Sequence, residues 1–152
     1  MILGYVTGGV LRGMVTGAIL LVVSLFFTTL TIHHWFHFLA FAALSSVLFS
    51  LAGLINGIFA KDFDTISIFP TLILTPLTYL AGTFYSITLL PEFWQTVSLW
   101  NPVLYLVNGF RYGLLGVSDV PLGTAYSILL VLIAVLALWV WQLFRSGRGI
   151  KT

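Results

Sequence analysis

Cysteine is absent from this 152-residue chain, and charged side chains are scarce. The absence of cysteine excludes disulfides and thiolate chemistry. Only 7% of the residues are Asp, Glu, Lys or Arg, whereas roughly a quarter are charged in an ordinary soluble domain. Hydrophobic residues make up 60% of the chain. This composition excludes a typical soluble domain.

The few charged residues separate long uncharged segments at 13–60, 65–91, 93–110 and 120–144. A charge at the centre of a bilayer costs at least ~2.5–3.5 kcal/mol, so membrane spans exclude it. A helix needs about 20 apolar residues to cross ~30 Å of hydrocarbon. We therefore predict an all-α integral membrane protein, a polytopic helical bundle in a lipid bilayer. The basic residues flank apolar segments and do not cluster, which argues against a nucleic-acid partner.

Four transmembrane helices fit these segments, at about 13–32, 35–60, 65–87 and 122–144. The first two are divided near His33-His34-Trp35 because the uncharged segment is too long for one span. Residues 1–12 are predicted to be a lead-in at the membrane surface, with Arg12 reaching the interface. Residues 1–152 then form a single transmembrane domain.

The segment 88–120 is apolar but interrupted by prolines, glycines and charges. Its uninterrupted pieces are about ten residues long, too short to span and suited to re-entrant helices. We predict two short helices, near 91–100 and 102–115, that form a re-entrant hairpin before the last span. Glu92 and Arg111 flank this segment and are candidates for an ion pair.

Lysine and arginine counts predict the orientation. Arg12, Lys61, Arg145, Arg148 and Lys151 fall on one side of a four-span topology, and Arg111 alone falls on the other. Cytoplasmic loops carry the excess of positive charge. Both ends of the chain are therefore predicted to be cytoplasmic. Aromatic belts are predicted at the two interfaces, with Trp94 and Trp100 outside and Trp139 and Trp141 inside.

Small residues recur at helical spacing in the first two spans. Gly9, Gly13 and Gly17 repeat every four residues, and the second helix carries a similar stripe of Ala42, Ser46, Ser50, Gly53 and Gly57. Such stripes let helix backbones approach closely, either within one bundle or between subunits. In the third span, Pro70 and Pro76 are predicted to bend the helix, with the hydroxyls of Thr71, Thr75 and Thr78 re-satisfying the freed carbonyls.

Candidates for catalysis are few. His33 and His37 have a spacing that can hold a metal ion, and His34 lies between them, but no carboxylate or cysteine is near. We therefore interpret the three histidines as interfacial. The tail 147–152 fails as a phosphate-binding loop because no Gly-Lys pair is present and no strand precedes it. The sequence predicts no catalytic, cofactor-binding or metal site, so we do not expect an enzyme.

Several motifs occur together between residues 50 and 116. They are a Leu-Ala-Gly-Leu-Ile-Asn-Gly segment, a Thr-Pro-Leu-Thr-Tyr-Leu helix, a Leu-Pro-Glu-Phe-Trp turn, an Asn-Pro pair and a Gly-Phe-Arg-Tyr-Gly segment. In order and spacing the chain resembles the permease subunits of ABC-2 type exporters of bacteria. The resemblance implies a six-helix inner-membrane permease that forms a homodimer and pairs with ABC ATP-binding subunits. The four helices here correspond to the last four of the six, so the chain is expected to be the C-terminal part of such a permease.

The resemblance implies an exporter whose ATP is hydrolysed by a separate subunit. It also implies that Lys61, Asp62, Phe63 and Asp64 contact the ATPase, and that an outer gate or re-entrant segment contains Pro91, Glu92, Asn101, Pro102 and Arg111. Gly9, Gly13, Gly17, Gly53 and Gly57 form the helix-packing or dimer stripe. The alternative is a truncated, non-transporting membrane fragment with structural or interaction roles. A histidine-based membrane metalloenzyme is a third, weaker possibility.

Overall fold

The computed structural model describes residues 1–82 and 86–147, and within them every regular element is helical. The helices are α1 (Ile2–Phe27), α2 (Trp35–Phe59), α3 (Phe63–Phe69), α4 (Thr75–Leu80), α5 (Glu92–Leu99), α6 (Pro102–Leu115) and α7 (Leu122–Arg145). A π-helical turn at Pro70–Leu74 joins α3 to α4, and a 3₁₀ turn lies at Ile87–Leu89. Four helical segments in the described residues are long and apolar enough to cross a membrane: Ile2–Phe27, Trp35–Phe59, Phe63–Leu80 and Leu122–Arg145. The predicted fold class is confirmed.

The predicted bounds of the first helix, 13–32, are wrong, because α1 is one helix from Ile2 to Phe27. Residues 2–12 are therefore part of the first helix, and their place at the membrane surface stays a prediction. A single arginine does not interrupt helical hydrogen bonding, so the apolar run on both sides of Arg12 forms one element. At the other end the backbone becomes extended at Thr28, where the segment 28–32 is rich in β-branched residues that favour extended backbone.

The predicted third helix, about 65–87, is wrong at its C-terminal end. It begins at Phe63, with Asp62 extended at the N-cap position, and it ends at Leu80. Gly82 follows with φ +74°, a left-handed conformation that stops a helix and suits glycine. Residues 83–85, within the predicted span, lie outside the described residues.

The core lies where α6 is enclosed by α2 and α7. Phe41 of α2, Leu104 of α6 and Leu129 of α7 are fully buried, and Leu106 is nearly so. By contrast α1, α3 and α4 contribute no buried residue among those described. The second short helix of the predicted hairpin is therefore the central element of this bundle.

Candidate functional site

Two glycines allow α6 to lie close against α2. A Cβ at Gly109 would collide with the ring of Phe41, and one at Gly113 would lie 2.9 Å from the Cα of Phe38. The backbone N–H of His34 also donates to the Gly113 carbonyl at 2.9 Å. Sequence reasoning treated both glycines as interruptions of the segment and as the ends of a family motif, and it did not predict this contact. Their four-residue spacing on one helical face was the signal that would have identified a close helix contact.

The principal polar cluster in the described residues surrounds Arg111 and Asp119. The guanidinium Nη1 lies 3.1 Å from Asp119 Oδ2, and Nη2 donates to the Gly82 carbonyl. The Asp119 carboxylate also accepts from Ser86 Oγ at 2.8 Å and from the Ile87 N–H at 3.3 Å. We call this cluster (Arg111, Asp119, Ser86, Ile87 and Gly82) the hairpin latch. It joins α6 to the segments that precede α5 and α7.

Glu92 and Arg111, which the sequence offered either as an ion pair or as separate solvated charges, do not pair, because Arg111 pairs with Asp119. Gly116, at φ +74°, ends α6 and turns the chain back, so that Asp119 reaches Arg111. Glu92 instead lies exposed in the first turn of α5. A carboxylate there is stabilised by the positive end of the helix dipole, without any ion pair.

Asn101 connects the start of α6 to the end of α4. Its side chain accepts from the Val103 N–H at 3.0 Å and donates to the Leu77 carbonyl at 2.6 Å. Pro102 follows at the first position of α6, where a missing N–H costs nothing. Asn101, Pro102 and Arg111 thus share α6 and its cap, whereas Pro91 and Glu92 begin α5 on the exposed surface. Their role as a gate stays a prediction.

The helix of the third span passes into a π-helical turn at Pro70, and the carbonyl that Pro70 leaves free is bonded from another helix. Proline at 70 cannot donate to the carbonyl of Ile66, four residues earlier. That carbonyl accepts from Asn56 Nδ2 of α2 at 2.9 Å. The expectation that a threonine hydroxyl bonds the freed carbonyl is wrong for the carbonyl of Ile66. Thr78 and Thr75 instead donate to the carbonyls of Leu74 (2.7 Å) and Pro70 (3.5 Å).

The loop between α2 and α3 presents charged groups beside an exposed ring. Lys61, Asp62 and Asp64 are exposed, and the side chain of Phe63 is 90% exposed. A shallow cavity of about 330 Å³ lies beside them, lined also by Ala60 and Ile66. Aromatic side chains among polar groups are enriched at protein–protein contacts.

The small residues of α1 and α2 define an antiparallel register. A Cβ at Gly9 would collide with Ser50, one at Gly13 would collide with Ser46, and one at Gly53 would lie 3.9 Å from the Tyr5 hydroxyl. At Gly17 and Gly57 a Cβ would meet no described atom of another helix within 4 Å. The stripe therefore packs α1 against α2 at its middle, and its two ends are open.

The three histidines lie in the α1–α2 connection and at the start of α2, and they contact α6 and α7. His33 Nδ1 lies 3.0 Å from the Leu114 carbonyl, and His37 Nδ1 lies 2.8 Å from the Tyr126 hydroxyl. The ring of His34 stacks on Tyr112 with centroids 4.8 Å apart. In the part of the chain that the structure describes, no three His, Cys, Asp or Glu side chains group to hold a metal ion.

The tryptophans lie near helix ends. Trp94 and Trp100 are exposed on or just after α5, and Trp139 and Trp141 are exposed near the end of α7. The Arg145 guanidinium lies 5.4 Å from the ring centroid of Trp141. Arg148 and Lys151, which contributed to the predicted orientation, lie outside the described residues.

The chain is similar in sequence to known membrane proteins. The sequence model of the family described as "ABC-2 type transporter" matches residues 1–115. The chain is 52% identical over 151 residues to the inner membrane transport permease YadH of Escherichia coli K12, and to the proteins of that name in Escherichia coli O157:H7 and Shigella flexneri. The match covers 99% of this chain and 59% of each relative's length. No solved structure matches the chain. With a family match over most of its length, the chain belongs to the ABC-2 type transporter family.

Proposed function

We propose that this chain contributes the membrane-embedded part of an exporter permease, which moves its substrate out of the cell with ATP hydrolysed by a separate ABC subunit. The observation that carries the proposal is the family match over residues 1–115, which includes three of the four candidate spans. The chain has no phosphate-binding Gly-Lys motif, so we assign ATP hydrolysis to the partner.

We infer that the loop Lys61–Asp64 is the contact with the ATPase. It joins two candidate spans, α2 and the helix α3–α4, and the ring of Phe63 is 90% exposed. A largely exposed ring flanked by charges on both sides fits a partner surface with an apolar pocket and a polar rim. Movement of this loop displaces the start of α3.

The helix α3–α4 supplies a route from that loop to the hairpin. Its far end is bonded to α6 through two carbonyls, that of Leu77 with Asn101 and that of Gly82 with Arg111. We propose that nucleotide-driven movement of α3–α4 shifts α6 and so opens an outer gate. Such coupling requires that the two conformations bind nucleotide or substrate with different affinity.

We propose that the permease lies in the bacterial inner membrane with both ends of this chain cytoplasmic. Because Arg12 lies inside α1, the charge count that supports this orientation becomes Lys61, Arg145, Arg148 and Lys151 against Arg111. The positive-inside bias still favours the same side. We also propose a homodimer of permeases, for which the open ends of the glycine stripe are candidate contacts.

The test is ATP hydrolysis by the complete permease with its ATPase in proteoliposomes. Phe63→Ala should lower permease-dependent ATP hydrolysis by at least about tenfold, since an aromatic anchor at an interface is worth ~2 kcal/mol or more, which is about thirtyfold in affinity. Phe93→Ala is the matched control, because Phe93 is also a largely exposed phenylalanine, 68% exposed, but lies on the hairpin. Wild-type permease that neither alters ATP hydrolysis nor supports ATP-dependent efflux would refute the exporter and leave the structural alternative.

A further inference from the structure

Arg12 lies level with the middle of a neighbouring span. Gly9 faces Ser50 and Gly13 faces Ser46 across the antiparallel contact, which places Arg12 level with Val47. Val47 is the central residue of α2, which runs from Trp35 to Phe59. Arginines near helix ends reach the interface with their long side chains, but a central one has about 15 Å of hydrocarbon on either side. The register therefore places Arg12 beside the middle of a candidate span.

A charge at that depth costs at least ~2.5–3.5 kcal/mol unless something neutralises it. In the described part of the chain the ion pair is that of Arg111 with Asp119, and no carboxylate pairs with Arg12. Asp62, Asp64 and Glu92 lie at the starts of α3 and α5, and Asp119 is already held by Arg111.

Arg12 lines a groove between α1, α2, α4 and α6. The groove has a volume of about 690 Å³, within the range of small-molecule sites. Its α6 side is apolar, with Leu106, Val107 and Phe110. The hydroxyls of Thr16 and Ser46 donate to carbonyls of their own helices, those of Arg12 and Ala42. The guanidinium therefore supplies the strong donors of the groove.

We propose that this groove binds an amphiphile bearing one anionic group, a carboxylate or a phosphate, which enters from the bilayer and pairs with Arg12. Its hydrocarbon part lies along the apolar face of α6. A planar guanidinium holds either anion through two parallel hydrogen bonds. The proposal rests on the proposed function, since it names the substrate class of the permease.

The experiment measures binding of oleate to the complete permease in phosphatidylcholine nanodiscs without nucleotide. Arg12→Leu should weaken oleate binding at least tenfold, because it removes charge-assisted hydrogen bonds. Arg12→Lys should retain part of the affinity. Binding of methyl oleate, which has the chain but no charge, should be the same in wild type and Arg12→Leu. Arg145→Leu, the matched control at the end of α7, should leave oleate binding unchanged.

A second variant tests the volume of the groove separately from the charge of Arg12. Val107→Trp, which fills the groove from α6, should weaken both oleate and methyl oleate. Equal oleate affinity of wild type and Arg12→Leu would overturn the proposal. So would competition by inorganic phosphate, which would make the site one for a small anion. Since no ATPase is present, this failure is distinct from failure of the exporter assignment, which is tested by permease-dependent ATP hydrolysis.

Discussion

At the residue scale, the carboxylate of Asp119 accepts hydrogen bonds from three different residues. It receives the guanidinium of Arg111, the Ser86 hydroxyl and the Ile87 N–H. Both charged side chains are about four-fifths buried in the chain, with 21% and 18% exposed. Asp119→Ala removes the carboxylate that these three donors share, so we expect the free energy of unfolding to fall by about 1–3 kcal/mol.

Thermal unfolding in detergent measures this loss. Asp119→Asn keeps one carbonyl acceptor and should be milder than Asp119→Ala. Glu92→Gln is the matched control and should change stability by less than about 0.5 kcal/mol, because Glu92 is exposed. Equal stability of Asp119→Ala and Glu92→Gln would contradict the hairpin latch.

Sequence reasoning singled out Arg111 but considered only Glu92 as a possible acidic partner. The choice between Glu92 and Asp119 depends on where the chain turns after α6. That turn is set by the left-handed Gly116, and its direction is a property of three-dimensional packing. The same limit applies to Asn56, whose bond to the Ile66 carbonyl depends on how α2 and α3 are juxtaposed.

At the scale of the element, the π-helical turn at Pro70 and the side chain of Asn56 should be energetically coupled. Asn56→Ala removes the donor to the Ile66 carbonyl and should destabilise the protein by about 1 kcal/mol. Pro70→Ala restores a backbone N–H that can reach the same carbonyl. In that background Asn56→Ala should cost less. A double-mutant cycle by thermal unfolding measures the coupling, and strict additivity would contradict it.

The contact of α6 with α2 gives a second prediction at this scale. Gly113→Ala places a methyl group 2.9 Å from the Phe38 Cα, so the two backbones must separate at a cost of about 1–3 kcal/mol. Gly8→Ala is the control because Gly8 lies in α1 outside the glycine stripe, and no described atom of another helix lies within 4 Å of its Cβ position. Alanine should stabilise that helix by about 0.5–1 kcal/mol. Unfolding curves that move in the same direction for both variants would contradict the close contact.

The spans were predictable because charged side chains are excluded from hydrocarbon, so a long uncharged segment of the sequence indicates a span. The two hairpin helices also followed from the positions of Pro91 and Pro102. The start of α1 was not predicted, because Arg12 was assumed to mark a membrane surface. The burial of α6 was missed for a related reason. The glycines of α6 were interpreted as interruptions of a helix because the sequence does not show that α2 packs against them.

At the scale of the whole molecule, single cysteines introduced into this cysteine-free chain test the topology. Asp64→Cys and Ser146→Cys should react with an impermeant maleimide only from the cytoplasmic side, and Leu89→Cys only from the other side. Leu89 is 77% exposed in the turn before α5, so access does not limit its labelling. Labelling of Asp64→Cys and Leu89→Cys from the same side would contradict the four-span arrangement.

The short third span has a consequence for the surrounding lipid. At ~1.5 Å per residue, the 18 residues of Phe63–Leu80 extend about 27 Å, whereas the 26 residues of α1 extend about 39 Å. The two differ in hydrophobic length by about 12 Å. Acyl chains beside the short span must compress or tilt to match it, whereas those beside α1 stay extended. We expect the annulus of lipid to be thinned on one flank only, which lowers the barrier to headgroup crossing there.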